Sequence, residues 1–248
     1  TMVWALDAVA GGPAAVTTMV EQDAAFIALA RRLAGDGGLF GVQGGAWMPA
    51  RIPPLAGDLP PHDLVTIAYG LGELRQREAD AVVEQAWARA STVLVIVEPG
   101  TPRGFALVES ARRIVLAHGA RIAAPCPHDA PCPMVATGRW CHFSQRLPRS
   151  REHRQIKGAA VGFEDEKYSY LVAVREATSV DRTTARIIGR PRVRNAGADL
   201  PLCRADGSLA DVLVAKRDKE NFRAARRVGW GDAWPPQREN LQSYEVEE

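Results

Sequence analysis

The chain has 248 residues, a formal net charge of +2 and an apolar fraction of 46%, which leaves room for one large globular domain or a domain with an appendage. No apolar run is long enough to cross a bilayer, and the first residues lack the charged region and cleavage site of a secretory signal. Four cysteines are too few for a disulfide scaffold at this length. We therefore expect a protein of a reducing compartment, with its thiols available as ligands.

Positive charge is concentrated in one part of the chain. Residues 1–138 carry 10 Lys and Arg side chains against 13 Asp and Glu, whereas residues 139–227 carry 20 against 11. A basic block of this kind is typical of a surface that faces nucleic acid. A solvated basic face without a partner is the alternative, and composition does not separate the two.

The N-terminal segment predicts a strand followed by a helix. Val16–Val20 is a short β-branched run that ends at Glu21, and Asp23 can cap the next helix. That helix is expected to stop at Gly35. Its apolar residues at helical spacing are Phe26, Leu29, Ala30 and Leu33.

Met2–Val9 is assigned to a helix by its distance from that strand. If it were a first strand, a crossover helix would have to fit between Pro13 and Val16, and a parallel crossover needs about ten residues or more. We therefore expect Met2–Val9 to be the end of a helix. The first strand and its glycine loop would then lie upstream of this chain.

The middle of the chain alternates apolar strands with amphipathic helices. Strands are predicted at Leu64–Tyr69 and Thr92–Val97, and helices at about residues 73–90 and 105–118. Strands that are apolar throughout are typical of a parallel sheet covered on both faces. Residues 35–62 are rich in Gly and Pro and are predicted as loop, with a short strand near Arg51.

The pattern changes after residue 120. Strands are predicted at Cys141–Arg146 and Tyr168–Arg175, followed by short β segments over residues 185–217 and an Arg-rich helix at Lys219–Arg227. The chain thus divides into an α/β core (1–120), a cysteine-rich loop with closing strands (121–180), and a basic β-rich extension with a tail (181–248).

Three of the four cysteines lie in one proline-rich stretch. Cys126, Cys132 and Cys141 are separated by five and eight residues, and Cys203 follows about sixty residues later. Prolines exclude a regular helix or a central strand there. Thiolates held close together on a stiff loop are suited to a thiophilic metal or an iron–sulfur cluster.

Other interpretations of the cysteines stay open at this point. Zinc is one, with His128 or His142 as a nitrogen ligand, although structural zinc sites usually show closely paired cysteines. Unliganded thiols are another. The Pro-Cys pairs also resemble the nucleophile of pyrimidine methyltransferases, but such a cysteine needs an exposed thiolate of low pKa near a base.

Several segments together carry a resemblance to a known family. They are Asp63–Leu74, Glu98–Pro102, Ala124–His128 with Pro131–Pro133, Cys141–Gln145, Leu202-Cys203 with Asp206-Gly207, and Trp230–Asp232. In this order they resemble the methyltransferase-like small-ribosomal-subunit assembly proteins of bacteria and mitochondria. The resemblance covers nearly the whole chain, and the cysteine segment is its most specific part.

The resemblance implies a fold and a set of ligands. The fold would be α/β, with a class I S-adenosylmethionine-methyltransferase-like (Rossmann-like) sheet, N-terminally truncated here, and a β-rich C-terminal extension. A [4Fe–4S] cluster would be held by Cys126, Cys132, Cys141 and Cys203. S-adenosylmethionine would contact Glu21 through its ribose, Asp58 through its adenine and Tyr69 near the reacting centre, although the family's Gly-x-Gly loop has no counterpart in this sequence. For the two acids, a solvated position at a strand end is the alternative.

The implied partners are the small-subunit rRNA and ribosomal proteins, with no membrane, in a bacterial cytoplasm or the mitochondrial matrix. The protein would be monomeric off the ribosome. The arginines predicted to hold rRNA phosphates are Arg182, Arg186, Arg190, Arg192, Arg194, Arg223, Arg226 and Arg227. Nearby aromatic residues could stack on bases or anchor the tail in a core; they are Tyr170, Phe222, Trp230 and Trp234.

The leading prediction is an rRNA-binding assembly factor that uses the methyltransferase fold as a scaffold. The alternatives are an active S-adenosylmethionine-dependent rRNA methyltransferase and a zinc-stabilised nucleic-acid-binding protein. Methyl transfer needs an oriented acceptor and, for some acceptors, a base. The loop Ala68–Leu71 contains no Asn-Pro-Pro-Tyr-type element, and no general base is evident nearby.

Overall fold

The computed structural model describes residues 2–10, 16–36, 45–50 and 59–236. The first part contains helix α1 (Met2–Ala10), strand β1 (Thr18–Glu21), helix α2 (Ala24–Asp36) and strand β2 (Ala46–Pro49). Strands β1 and β2 pair in parallel as a small sheet of their own. The side chains of His62 and Thr18 lie 3.0 Å apart (Nε2 to Oγ1), which links this sheet to the start of the main one.

The main sheet follows from β3 (His62–Ala68) onwards. Its further elements are α3 (Gln76–Arg89), β4 (Ala90–Pro99), α4 (Pro102–Ala117), β5 (Ala120–Ala124), β6 (Phe143–Pro148), α5 (Arg151–Lys157) and β7 (Phe163–Arg175). The strand order is β3-β4-β7-β5, with β6 paired to β7. Strands β3 and β4 are parallel, whereas β7 runs antiparallel to both β4 and β5.

This order defines the fold class. An antiparallel strand inserted between the last two parallel strands distinguishes the class I methyltransferase sheet from an all-parallel doubly wound sheet. The prediction of a methyltransferase-like α/β fold is thereby confirmed. Strands β5 to β7 also belong to this sheet, so residues 120–175 complete the α/β core.

The core of the main sheet forms where the apolar pattern predicted it. Helix α3 buries the face that carries Ala79, Val82, Val83, Ala86 and Trp87, and it covers Leu94 and Ile96 of β4. Arg175 fixes the end of this helix. Its guanidinium lies 4.0 Å from the centre of the Trp87 ring and donates to the carbonyl oxygens of Trp87 (2.6 Å) and Ala90 (2.8 Å).

A second sheet has its own core. It contains β8 (Ala185–Ile187), β9 (Arg192–Val193), β10 (Gly197–Arg204), β11 (Leu209–Ala215) and β12 (Ala233–Trp234), in the order β11-β10-β8-β12 with β9 on β10. Helix α6 (Lys219–Ala225) packs against it. This confirms the predicted β-rich extension and the short Arg-rich helix. In the described part of the chain, no helix has the length and apolarity needed to cross a membrane.

Several predictions of local structure were wrong. Helix α2 does not bury the predicted face, because Phe26 is 61% exposed while Ile27 and Ala34 are buried. Apolar residues lie on more than one side of this helix, so spacing alone could not identify the buried side. The short strand predicted near Arg51 was correct in kind and is β2, Ala46–Pro49, whereas Arg51 lies outside the described residues. Strand β5 and helix α5 were missed, since both are short and β5 has an arginine at its second position.

A close contact at Gly104 sets the position of helix α4. Thr101 caps the helix by accepting a hydrogen bond from the Gly104 amide at 3.0 Å, and Gly104 then lies directly on the end of β4. A Cβ atom added at Gly104 would overlap the carbonyl oxygen of Pro99. The absence of a side chain therefore lets α4 begin immediately after the strand.

We expect Gly104→Ala to destabilise the protein by about 1–3 kcal/mol, because backbone atoms must move to admit the methyl group. Gly35→Ala is the matched control in another helix. Its Cβ would meet none of the described residues within 4 Å, so the better helix propensity of alanine should leave stability unchanged or raise it by about 0.5–1 kcal/mol. Urea unfolding of both variants measures the difference, and equal effects would contradict the Gly104 constraint.

Candidate metal centre and ligand-binding edge

A cavity lies where the two cores meet. It encloses about 640 Å³, including the space at its open mouth. One wall comes from α4 and β7 of the main sheet, and the other comes from β8, β10 and β11 of the second sheet. The segment 125–134, which follows β5, passes between the two walls and supplies much of the remaining lining.

All four cysteines of the chain line this cavity. Cys126 and Cys132 come from the segment 125–134, Cys141 comes two residues before β6, and Cys203 lies on β10. None of them forms a disulfide; Cys203 is buried and the other three are partly buried. The sequence predicted the convergence of these residues, and the structure brings them to one place from three separate stretches of chain.

The segment 125–134 has almost no regular secondary structure, so side chains must satisfy its backbone groups. Arg112 of α4 donates from Nη2 to the carbonyl oxygens of His128 (3.0 Å) and Ala130 (2.7 Å). Asp129 accepts from the backbone amide of Ile122 at 2.9 Å. Arg186 of β8 donates to the carbonyl oxygen of Pro125 at 3.0 Å. These contacts hold the cysteine segment against both walls of the cavity.

His128 is buried and joins the segment to the second sheet. Its Nε2 lies 3.3 Å from Sγ of Cys203, and its Nδ1 lies 3.1 Å from the carbonyl oxygen of Ala130. Because a carbonyl only accepts, Nδ1 carries the proton in this contact and Nε2 faces the sulfur as an acceptor. Burial is the main cause of the lowered pKa of His128, and the nearby charge of Arg112 lowers it further.

The environment of the thiols favours their protonated form. Burial and the charges of the neighbouring cysteines raise the pKa of Cys203 to about 12, and the same two causes raise the pKa of Cys141. Burial also raises the pKa of Cys126, against the opposing charge of Arg112. A catalytic cysteine needs the opposite shift, so the nucleophile interpretation finds no support. A bound metal cation would reverse the shift, since a coordinating thiol loses its proton.

The donor set and its spacing can be compared with possible occupants. A tetrahedral zinc ion with Zn–S bonds of about 2.3 Å requires sulfur atoms about 3.8 Å apart. Within the described ranges, no group of three or more His, Cys, Asp or Glu side chains is placed as a metal-ion site, so the comparison depends on the chemistry of the donor set. A four-iron cluster binds each thiolate to a different iron, so its four sulfur donors stand further apart. An all-cysteine set around one cavity fits such a cluster.

The residues predicted to contact S-adenosylmethionine are only partly described. Glu21 ends β1, and its Oε1 accepts from the backbone amide of Asp23 at 2.9 Å. Asp58 lies outside the described residues. Tyr69 follows β3 with a positive φ of 56°, and its hydroxyl donates to Glu166 at 3.4 Å. Glu21 and Tyr69 therefore stand at the carboxyl ends of parallel strands, where ligands bind in α/β folds.

Glu98 is a feature of this edge that the sequence did not reveal as a site residue. It lies near the end of β4, is 1% exposed, and accepts the backbone amide of Leu71 at 2.8 Å through Oε1. Burial raises its pKa, although amide groups of Leu71, Gly72 and Gly70 oppose the shift. The carboxylate thus holds the turn after Tyr69 in place. The sequence showed that Glu98 is an acid at the end of a strand, but only the structure showed that its side chain is buried.

The predicted RNA-binding arginines fall into two groups. Arg182 binds Asp129 within the protein, and Arg186 donates to Pro125 and, at 2.9 Å, to Gly231. The other six are exposed, and Arg194 pairs with Asp199. The exposed arginines are Arg190, Arg192, Arg194, Arg223, Arg226 and Arg227.

The aromatic residues near them are largely internal. Tyr170 lines the cavity, and Phe222 and Trp234 pack against the core of the second sheet. Trp230 contacts His142 at 4.7 Å between ring centres. Their role as anchors of the tail is the better supported of the two interpretations.

Fold and site together define a class: a methyltransferase-fold protein in which four cysteines line a cavity between the α/β core and a β-rich extension. Comparison with protein families is consistent with this. A family model described as mitochondrial small ribosomal subunit Rsm22 matches residues 1–235. The chain belongs to this family, which confirms the resemblance seen in its motifs.

Individual relatives are more distant. The human mitochondrial ribosome assembly protein METTL17 is 29% identical over 95% of this chain, and the mitochondrial Rsm22-cox11 tandem protein 2 of Schizosaccharomyces pombe is 28% identical over 70%. The chain spans 53% of the human protein and 29% of the yeast protein.

Among solved structures, magnesium protoporphyrin IX methyltransferase from Synechocystis with bound SAH has a TM-score of 0.42 and 15% identity, over 67% of this chain and 66% of that one. Precorrin-6y C5,15-methyltransferase from Geobacter metallireducens has a TM-score of 0.42 and 14% identity, over 71% of this chain and 73% of that one. Likeness at this level assigns no ligand to the present protein.

The raised pKa of Glu98 predicts a pH-dependent contribution to stability. The folded state holds this proton to higher pH than the unfolded chain, so the contribution is complete below the ordinary pKa of 4.5 and is lost as pH rises through the folded-state value. The free energy of unfolding of the wild type should therefore fall relative to Glu98→Gln as the pH rises above 4.5, measured by urea unfolding. Glu84→Gln, at an exposed position of α3, is the control. Parallel pH curves for the wild type and Glu98→Gln would contradict this role.

Proposed function

We propose that this protein assists assembly of the small ribosomal subunit by binding its rRNA, and that a [4Fe–4S] cluster held by Cys126, Cys132, Cys141 and Cys203 joins its two sheets. The observation that carries the proposal is the convergence of all four cysteines of the chain on one cavity. Family membership supports the ribosomal part, because a mitochondrial small-subunit family matches residues 1–235. The names of the relatives supply mitochondria as the compartment.

The structural role of the cluster follows from the origin of its ligands. Cys126 and Cys132 follow the last parallel strand of the main sheet, whereas Cys203 lies in the second sheet. A group bound to all four would close a long loop of chain and add its binding free energy to folding. The four thiolates would supply soft sulfur ligands to the bound cluster. The apolar lining of the cavity would limit the access of water to it. The chemistry proposed here is ligation, without a catalytic step.

The spacing of the cysteines favours a cluster over zinc. Structural zinc sites usually take closely paired Cys-x2–4-Cys ligands, whereas Cys126, Cys132 and Cys141 are separated by five and eight residues. The donor set is complete with sulfur alone, so neither His128 nor His142 is needed as a ligand. His128 is instead placed to contact the sulfur of Cys203 from outside the donor set.

The rRNA contact is proposed for the exposed basic residues of the second sheet and helix α6. Arg223, Arg226 and Arg227 are exposed and follow one another along α6 and its end. Guanidinium groups bind phosphate through paired hydrogen bonds and keep their charge at every physiological pH. An arginine group on a helix end beside a β-rich sheet is suited to following an RNA backbone without reading its sequence.

The cluster proposal is tested by replacing its most distant ligand. Cys203→Ser should lose most of the iron and acid-labile sulfide that the anaerobically purified wild type contains, because a hydroxyl is a poor ligand for soft metals. It should also unfold at lower temperature, since the link between the sheets is broken. Met134→Leu is the control, because Met134 lines the same cavity and is buried but supplies no thiolate.

Elemental analysis and absorbance near about 400 nm are the measurements. If the purified wild type contains zinc and no sulfide, the zinc alternative is correct and the proposed cluster is wrong. Unchanged iron in Cys203→Ser would exclude Cys203 as a ligand.

The rRNA proposal predicts a salt-dependent loss of affinity. Combined replacement of Arg223, Arg226 and Arg227 by Gln should weaken binding to small-subunit rRNA, and the slope of log K against log salt should become shallower by about 0.7–0.9 for each phosphate that the variant no longer binds. The control replaces three exposed arginines elsewhere, Arg32, Arg77 and Arg89. Filter binding at several salt concentrations measures both. Equal losses in the two triple variants would show that total charge, rather than this surface, determines binding.

A further inference from the structure

The cysteine cavity contains a buried positive charge, and backbone carbonyls alone do not neutralise it. Arg112 is 4% exposed and lines the cavity from helix α4. Its Nη2 donates to two backbone carbonyls of the cysteine segment, whereas its Nε is buried and has no hydrogen-bond partner among the described residues. Neutral carbonyls satisfy part of the guanidinium's hydrogen-bonding capacity but do not neutralise its charge.

A second guanidinium faces the same cavity from the other sheet. Arg186 of β8 lies directly opposite Cys203 of β10 in the strand register, so both side chains project from the same face of the sheet. Its Nε and Nη1 also donate to backbone carbonyls, those of Pro125 and Gly231. Arg112 and Arg186 thus approach the cysteines from opposite walls, and we call the pair the cavity arginines.

Nearby acids are bound to other arginines. Glu109 also lines the cavity, but it pairs with Arg113 at 3.1 Å. Asp129 of the cysteine segment pairs with Arg182. Neither cavity arginine forms an ion pair with a carboxylate in the described part of the chain.

Burying an ion without a counter-charge costs several kcal/mol. Two cations on one cavity therefore indicate an anionic occupant. Four thiolates on a four-iron core have a net charge of about −2, which two guanidinium groups would balance.

We propose that the cavity arginines form a cationic cradle that balances the charge of the four-thiolate centre and raises its reduction potential. This inference rests on the proposed cluster and concerns residues that do not ligate it. A positive charge in a poorly hydrated cavity stabilises the more negative, reduced form more than the oxidised form. Removing either charge should therefore make the centre harder to reduce.

The test measures the midpoint potential of the full-length, cluster-loaded protein by anaerobic titration with dithionite, followed by visible absorbance. Arg112→Gln and Arg186→Gln should each shift the potential to a more negative value at unchanged iron content. Arg112→Lys and Arg186→Lys keep the charge and should stay close to the wild type. Arg89→Gln, at an exposed position at the end of α3, is the matched control and should leave the potential unchanged.

The measured potentials and iron contents distinguish failure of the cationic cradle from failure of the proposed cluster. Iron-loaded glutamine variants with the wild-type potential overturn the cradle and leave the proposed cluster standing. If a glutamine variant cannot be loaded with iron while the lysine variant at the same position can, the charge is needed for assembly and the cradle is supported. If the lysine variants also fail to load, the arginines act through shape and hydrogen bonding, which overturns it. A wild type that takes up no iron and sulfide overturns the proposed cluster, and the cradle with it.

Discussion

The side-chain hydrogen bonds to the segment 125–134 are the constraint on which this molecule depends. A proline-rich segment has few amide donors and cannot join a sheet ladder, so its carbonyl groups need partners from elsewhere. Arg112 supplies them from the main sheet's helix layer, and Arg186 supplies one from the second sheet. Together with the contact between His128 and Cys203, these bonds set the positions of Cys126 and Cys132 relative to Cys203. The same arginines also bring positive charge to the cysteines, so the structure of the segment and its electrostatics have one cause.

The interior of each sheet and the contact between the two sheets are stabilised by different interactions. Each sheet buries its own apolar cluster, around Leu94 and Ile96 in one case and around Ile187 and Leu200 in the other. Between them lies a cavity instead of continuous hydrophobic packing. Hydrophobic burial therefore stabilises each sheet separately, whereas polar contacts, the ring contact between Trp230 and His142 and the proposed ligation fix one against the other. This arrangement makes the relative placement of the sheets sensitive to the state of the cysteines.

The carboxyl edge of the main sheet retains features of a ligand-binding edge. Tyr69 has a left-handed backbone conformation, which is unusual for a bulky residue and is often found at functional sites. Glu98 fixes the turn after Tyr69 by accepting hydrogen bonds from its backbone amides. These bonds offset part of the cost of burying the carboxyl group. The turn after Tyr69 is thus tied to β4 by a buried side chain. A turn held in this way serves a scaffold as well as a catalyst, and it is compatible with the proposed role in which the fold presents an RNA-binding surface.

The sequence by itself determined the strands and helices whose apolar pattern is regular, such as α3 and β4. The resemblance carried by its motifs implied that the four cysteines form one ligand set, which stays a prediction. Periodicity and residue chemistry are local properties, so they can be read without coordinates. Only the tertiary structure decided which face of α2 is buried, that Arg182 and Arg186 bond within the protein, and that Glu98 is enclosed. It also showed that two arginines face the cysteines and form no ion pair with a carboxylate of the described residues. Burial and charge balance depend on residues distant in sequence, and no local pattern records them.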